Sequence, residues 1–174
     1  MVAVAVVLAA TVSVLVLDFG EETTEAGPIV SDSTGEFIGD RPGADDQIVR
    51  ITHIAGDDID VSNMEIAVRA CGKAERLVNL PAPTTRSSST PTYFPFDDGN
   101  FERETGLLSQ GTVGQTWNAS VLHEDASDTF TAGTSFEFRI NNGACSLSAG
   151  DTVTVRVVHT PTNSVLIKKE LDAS

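Results

Sequence analysis

The chain has 174 residues, a formal net charge of −14 and a sequence isoelectric point near 4.3. The chain has 25 acidic and 11 basic residues, and the Lys and Arg residues form no cluster in the sequence. This argues against nucleic acid as a partner, because phosphate contacts require clustered basic side chains. An acidic composition with only three lysines is typical of proteins from concentrated brine, and the alternative is an ordinary acidic secreted domain.

The chain begins with an uncharged apolar stretch. Residues 1–17, MVAVAVVLAATVSVLVL, contain no charge, glycine or proline. A segment that is apolar on every side belongs in lipid or in a protein interior, and as an α-helix it would be roughly 25 Å long, the short limit for crossing a bilayer. We therefore predict an apolar helix over residues 1–19, because Asp18 ends the apolar run and Gly20 suits a helix stop.

Three interpretations compete for this helix. A cleaved signal peptide requires a basic stretch first, but Met1 leads directly into apolar residues. A simple membrane anchor normally takes its orientation from flanking Lys or Arg, and none is near. An assembly helix would sit in the membrane before packing against identical helices, which small side chains allow. Composition does not separate the last two. The assembly interpretation assigns the packing contacts to Val4, Val7, Leu8, Val12, Val14 and Leu15.

The rest of the chain has the pattern of a β-domain. Residues 20–27, GEETTEAG, are small, polar and acidic, and they predict a linker. Four segments after it have the composition or alternation of strands: 48–54, 64–70, 136–140 and 153–157, the last turning through residues 160–163 into a hairpin with 165–167. The predicted fold is mainly β: an N-terminal apolar α-helix followed by an antiparallel, immunoglobulin-like β-sandwich over residues 28–174.

The two cysteines leave two interpretations open. Cys71 and Cys145 lie far apart and form no CxxC pair, which excludes the usual zinc and thioredoxin patterns. In an oxidising exterior they could form a disulfide that closes a long loop of the unfolded chain. The alternative is two buried thiols that behave as small hydrophobic groups.

Catalytic and metal motifs fail on spacing. No nucleophile elbow, phosphate loop or dinucleotide motif occurs. An HExxH match beginning at His123 lacks its second histidine, because Ser127 stands there. A calcium-loop start at Asp58 fails because Asn63 occupies the glycine position and Arg69 the glutamate position. We therefore predict no enzyme activity, no metal site and no cofactor. Residues 57–60 are predicted to form a solvated turn, and weak cation binding there is the alternative.

The remaining polar motifs have modest meaning. His53 and His159 end strand-like runs, which favours polar residues at strand ends over metal ligands. Asn118, with Ala119 and Ser120, forms an N-glycosylation sequon and makes the chain a candidate glycoprotein if it is exported.

Three segments together resemble the type IV pilins of halophilic archaea. They are MVAVAVVLAATVSVLVLDFGEE, QIVRITHIAGDDIDVSNMEIAVR and AGDTVTVRVVHTPTNSVLIKKEL, which cover less than half of the chain and leave the region from Gly72 to Gly133 unmatched. The basic signal typical of that family does not precede the match, so the resemblance gives no position for cleavage.

The resemblance implies a structural subunit of an archaeal type IV pilus. Its partners would be copies of itself in a helical filament, the membrane before assembly, the pilus assembly machinery and a prepilin peptidase. Such filaments act at the cell surface in adhesion, with an immunoglobulin-like domain outside. The alternative function is a membrane-anchored cell-surface binding domain that acts outside a filament.

Overall fold

The structure is a computed structural model that describes residues 26–40, 46–82, 85–86, 93–94, 98–102, 105–109, 122 and 127–173. Twelve β-strands and two single turns of 3-10 helix lie within these residues. In chain order they are β1 (Val30–Asp40), β2 (Asp46–Gly56), β3 (Ile59–Asp60), η1 (Val61–Asn63), β4 (Met64–Ala70), β5 (Lys73–Leu77), β6 (Thr85–Arg86), β7 (Tyr93–Phe94), η2 (Asp98–Asn100), β8 (Phe101–Glu102), β9 (Thr129–Phe130), β10 (Ser135–Asn141), β11 (Thr152–His159) and β12 (Ser164–Asp172).

The main strands form two antiparallel sheets. The three-stranded sheet has the order β1-β2-β10, and the five-stranded sheet has the order β12-β11-β4-β5-β8. Strands β1, β2 and β10 stand where an immunoglobulin-like sandwich has A, B and E, and β4, β5, β11 and β12 stand where it has C, C′, F and G. Two short pairs, β3-β9 and β6-β7, accompany these sheets.

The two sheets share one hydrophobic core. Alternate residues of each strand point inward, because successive side chains of a strand point to opposite faces. In β4 the inward residues are all at most 2% exposed, while Glu65, Ala67 and Arg69 face outward. The principal buried residues of the two sheets are Val49, Ile51, Phe136, Phe138, Ile140, Met64, Ile66, Val68, Ala70, Val153, Val155, Val157 and Ile167.

The predicted strands 48–54, 64–70, 136–140 and 153–157 are confirmed as parts of β2, β4, β10 and β11. The predicted hairpin is also confirmed, since β11 pairs with β12 across the turn at 160–163. Within it, Ile167 is buried, but Val165 is 52% exposed, because a register shift between Val157 and Val158 interrupts the alternation.

The helical part of the predicted fold class is wrong. The described residues form antiparallel sheets and contain no α-helix, only the two 3-10 turns, so the fold class is antiparallel β. The helix prediction for residues 1–19 falls outside the described residues. It rested on apolarity alone, which indicates burial but not a helical period. The stretch also has seven valines, whose β-branched side chains lower helix propensity.

Within the described residues no helix is long and apolar enough to span a membrane, since η1 and η2 have three residues each.

Candidate interaction surface

Four basic side chains lie on the outer face of the five-stranded sheet. They are Arg69 on β4, Arg76 on β5, Arg156 on β11 and Lys168 on β12, and we call them the cationic face. The three arginines lie at outward positions because their strand neighbours are buried, and Lys168 lies on the same face because it is paired with Arg156. More than a third of the 11 basic residues of this acidic chain therefore meet on one surface.

The strand register places these cations around a small residue. Ala67 on β4 lies opposite Arg76 on β5 and opposite Arg156 on β11, and Arg69 follows Ala67 on the same face. Lys168 lies opposite Arg156 on the far side. Because Ala67 carries only a methyl group, a hollow of about 380 Å³ opens between the long side chains. Its lining residues are Ala67, Val68, Arg69, Ala74, Glu75, Arg76, Thr154, Arg156, Lys168 and Glu170.

The four cations differ in their ion pairs. Arg76 contacts Glu65 and also lies 2.6 Å from Glu102, while Lys168 lies 3.0 Å from Glu170. Within the described part of the chain, no carboxylate lies within ion-pair distance of Arg69 or Arg156. A guanidinium presents a planar fork of N–H donors that matches a carboxylate. These two arginines can therefore bind an external anion.

A disulfide joins Cys71 to Cys145, which resolves the two alternatives left by the sequence. Cys71 and Gly72 form the two-residue turn between β4 and β5, with φ of 50° and 71°. Positive φ at both positions is the type I′ hairpin geometry, which L-residues other than Asn and Asp seldom adopt. Beside the bridge, Lys73 donates to the carbonyl of Ala144 at 3.0 Å. Both contacts fasten the β4–β5 hairpin to the loop after β10.

The chain joins the sandwich at the opposite end. The Ile29 N–H donates to the Asp57 carboxylate at 2.9 Å, and the Asp57 N–H donates to the Ile29 carbonyl at 2.9 Å. Gly27 lies against the β11–β12 turn so closely that a Cβ would come within 2.6 Å of the Thr162 hydroxyl. The residues before β1 are therefore held at the end of the domain away from Cys71.

The Glu75 side chain holds the loop at residues 105–109 against the five-stranded sheet. This side chain is buried, and its Oε2 accepts hydrogen bonds from the Leu108 N–H at 2.8 Å and the Thr105 hydroxyl at 3.4 Å. The same loop bonds to β10, because the Asn141 N–H donates to the Leu107 carbonyl at 2.9 Å. Residues 105–109 thus link the edges of the two sheets.

Replacing Glu75 by alanine is expected to lower the free energy of unfolding by about 1–3 kcal/mol, because the buried Leu108 N–H loses its acceptor. Chemical denaturation measures the loss, and hydrogen exchange at Leu108 should become faster. Glu102→Ala is the matched control on an exposed ion pair, and it should change stability by about 0.5 kcal/mol or less. Equal losses in both variants would contradict the anchoring role of Glu75.

The interpretation of His53 as a polar residue at a strand end is wrong, because its side chain is fully buried. Its ring lies 5.3 Å from that of Phe130, and Nδ1 lies 3.3 Å from the Phe130 carbonyl oxygen. If Nδ1 donates that bond, Nε2 is an acceptor, and it has no partner among the described residues. His159 instead is the last residue of β11, and its Nδ1 lies 2.8 Å from the Thr162 hydroxyl oxygen.

The predicted solvated turn at 57–60 is wrong in its second half, because Ile59 and Asp60 form β3 and the Ile59 side chain is buried in the core. Asp57 and Asp58 are exposed, and Asp60 caps η1. The side-chain and backbone hydrogen bonds from Ser62 lower the pKa of the Asp60 carboxyl below its ordinary value of 3.8. The stabilisation from this cap is therefore present above pH 3.8 and is lost as the pH falls through the lowered value. Among the residues the structure covers, no group of three or more His, Cys, Asp or Glu could hold a metal ion.

Three sequence predictions fall outside the described residues: the sequon at Asn118, the incomplete zinc motif at His123 and the apolar residues Val4, Val7, Leu8, Val12, Val14 and Leu15. The cationic face was not predicted. Arg69 and Arg156 alternate with apolar residues in the sequence, which indicates an outward position on each strand, but only the strand order makes β4 and β11 neighbours.

No protein-family model matches this sequence, and no curated protein matches it significantly.

Proposed function

We propose that the chain is a structural subunit of an archaeal type IV pilus. The uncharged residues 1–17 associate with the same segment of other copies, and the β-sandwich is carried on the outside of the filament. The subunit resides in the membrane before assembly, where a prepilin peptidase and the pilus assembly machinery act on it.

The combination of an uncharged apolar stretch with a sandwich held at one end carries this proposal. Burial of apolar surface contributes about 25 cal/mol per Å², so a segment without a charged side chain favours association or membrane insertion. Since Ile29 is hydrogen-bonded to Asp57 at one end of the sandwich, the domain projects from its point of attachment. This arrangement suits a subunit whose neighbours pack through residues 1–17.

The disulfide supports a location outside the cytoplasm, because such bonds persist mainly in oxidising compartments. The net charge of −14 supports solubility of a domain displayed at high density, since like-charged surfaces repel one another.

The proposal is tested by shearing surface filaments from cells that produce the chain and identifying their proteins by mass spectrometry. We expect the chain in the filament fraction and a loss of those filaments when its gene is deleted. Recovery of the chain only from the membrane fraction, with filaments unchanged in the deletion strain, would overturn the proposal.

The cationic face favours a second candidate function. A membrane-anchored domain that acts singly would use such a surface to bind a partner at the cell surface. Filament shearing separates the two candidates, because a single anchored domain remains with the membrane.

A further inference from the structure

The cationic face has no role in a purely structural subunit. Two of its arginines, Arg69 and Arg156, are exposed and lack carboxylate partners among the described residues. Residues at diagonal positions on neighbouring antiparallel strands lie roughly 7–8 Å apart, which lets two long side chains converge on one group. Ala67 lies between Arg156 and Arg76 on the neighbouring strands and two residues before Arg69 on its own strand. Its short side chain leaves room for that group.

Arg50 on the three-stranded sheet differs from Arg69 and Arg156 in having carboxylate partners among the described residues. Arg50 lies on the outer face of the three-stranded sheet and is held between Glu36 and Glu137, with its Nε donating to Glu137 at 2.7 Å. In a chain with 25 acidic residues, an arginine between two carboxylates is the expected arrangement. Arg69 and Arg156 depart from it on a surface that has a hollow.

The lining of the hollow combines donors with acceptors. The arginines supply hydrogen-bond donors, and the Glu170 carboxylate supplies hydrogen-bond acceptors. The Thr154 hydroxyl can act as donor or acceptor. Val68 and Glu75 also border the hollow, but both are buried and Glu75 is hydrogen-bonded to the loop at 105–109. A ligand with separated carboxylates and many hydroxyl groups fits this lining.

From this lining we infer that the cationic face is a binding site for a carboxylate-bearing saccharide, with its carboxylate placed over Ala67 between Arg69 and Arg156. The inference goes beyond the proposed function, because the site is complete within one chain whether or not filaments form. The hydroxyl groups of the saccharide bond to Thr154 and Glu170.

A nucleic acid fits the site less well. Its phosphates are closely spaced, and they would meet Glu65, Glu102 and Glu170 beside the cations as well as a net charge of −14. A saccharide carries at most one carboxylate per sugar, with neutral hydroxyl groups between, so it meets less of this repulsion.

The position of the site leaves it open to solvent in an attached domain. Arg69 lies one residue before the end of β4, next to the Cys71 turn, whereas the chain joins the sandwich at the end near Asp57. The hollow thus lies toward the end of the domain away from its attachment.

The test is calorimetric titration of the full chain in detergent with alginate oligosaccharides, which carry one carboxylate per sugar. Arg69→Gln and Arg156→Gln should each weaken binding by about tenfold, since a charge-assisted hydrogen bond contributes about that factor. Ala67→Leu should weaken binding similarly by filling the hollow, although it keeps all four cations. Arg50→Gln, the matched substitution on the other sheet, should leave affinity unchanged.

Three outcomes would overturn the inference. If the wild-type chain does not bind alginate oligosaccharides, the proposed site does not exist. Equal binding of neutral dextran or of polyphosphate shows that carboxylated sugar is not the ligand. Equal losses in Arg50→Gln and Arg156→Gln, or normal binding by Ala67→Leu, show general charge attraction instead of a site. Unchanged thermal unfolding of each variant establishes that its domain is folded.

Discussion

Replacing Cys71 and Cys145 together by alanine is expected to lower the free energy of unfolding by about 4 kcal/mol. The two residues are separated by 74 positions, and in the chain-entropy account a cross-link over such a loop removes much of the freedom of the unfolded chain. In a chain of this length the loss corresponds to a decrease of about 10 °C in the unfolding midpoint. Thermal unfolding of the full chain, followed by circular dichroism, measures it.

The Cys71→Asn, Cys145→Ala variant is the control for backbone geometry. Asparagine adopts positive φ more readily than alanine, so this variant should recover a fraction of the lost stability without restoring the bridge. Reduction of the wild-type chain should reproduce the alanine variant. Detection of two free thiols in the folded wild-type chain, or equal midpoints for wild type and the alanine variant, would contradict the prediction.

Replacing Val7 or Val12 by aspartate is expected to prevent assembly. In the proposed filament these side chains are surrounded by apolar groups, where an unpaired carboxylate costs about 3 kcal/mol, roughly a hundredfold in an association constant for each copy. Electron microscopy and immunoblotting of the sheared fraction measure the loss. The β-sandwich should still fold, because residues 26–173 contain its core and its disulfide.

Val165→Asp is the matched control, since Val165 is half exposed on β12 and the same change there buries no charge. It should leave filament yield unchanged. Normal filaments from the Val7→Asp variant would contradict the proposal that residues 1–17 form the filament core. Equal loss of filaments in Val165→Asp would show that added charge, and not its position, prevents assembly.

The strands could be predicted wherever one side of a segment faces the core. Alternation in β4 and β11 is regular because each strand has one buried and one solvent-facing side, so period two appears directly in the sequence. In β10 the pattern is less clean, because Arg139 is also buried. There residues 107–109 pair with the edge of the strand, because the Ser109 N–H donates to the Arg139 carbonyl and the Asn141 N–H donates to the Leu107 carbonyl.

Two predictions failed for different physical reasons. The apolar helix was inferred from residue type without a periodic pattern. The described residues form antiparallel β-sheets without an α-helix, so the predicted fold class was wrong in its helical part. His53 was placed at a polar strand end because it closes the strand-like run RITH, but β2 continues to Gly56 and its inward positions include His53.

Alternation and turn residues close together in the chain were enough to predict the main strands and the β11–β12 hairpin, and the same alternation puts Arg69 and Arg156 on outward faces. The pairing of Cys71 with Cys145, the hydrogen bond from Glu75 to the loop at 105–109 and the grouping of four cations around Ala67 could not be predicted in this way. Each of these contacts joins residues on separate elements. They depend on strand order, which hydrogen bonding between distant segments sets and local patterns do not encode.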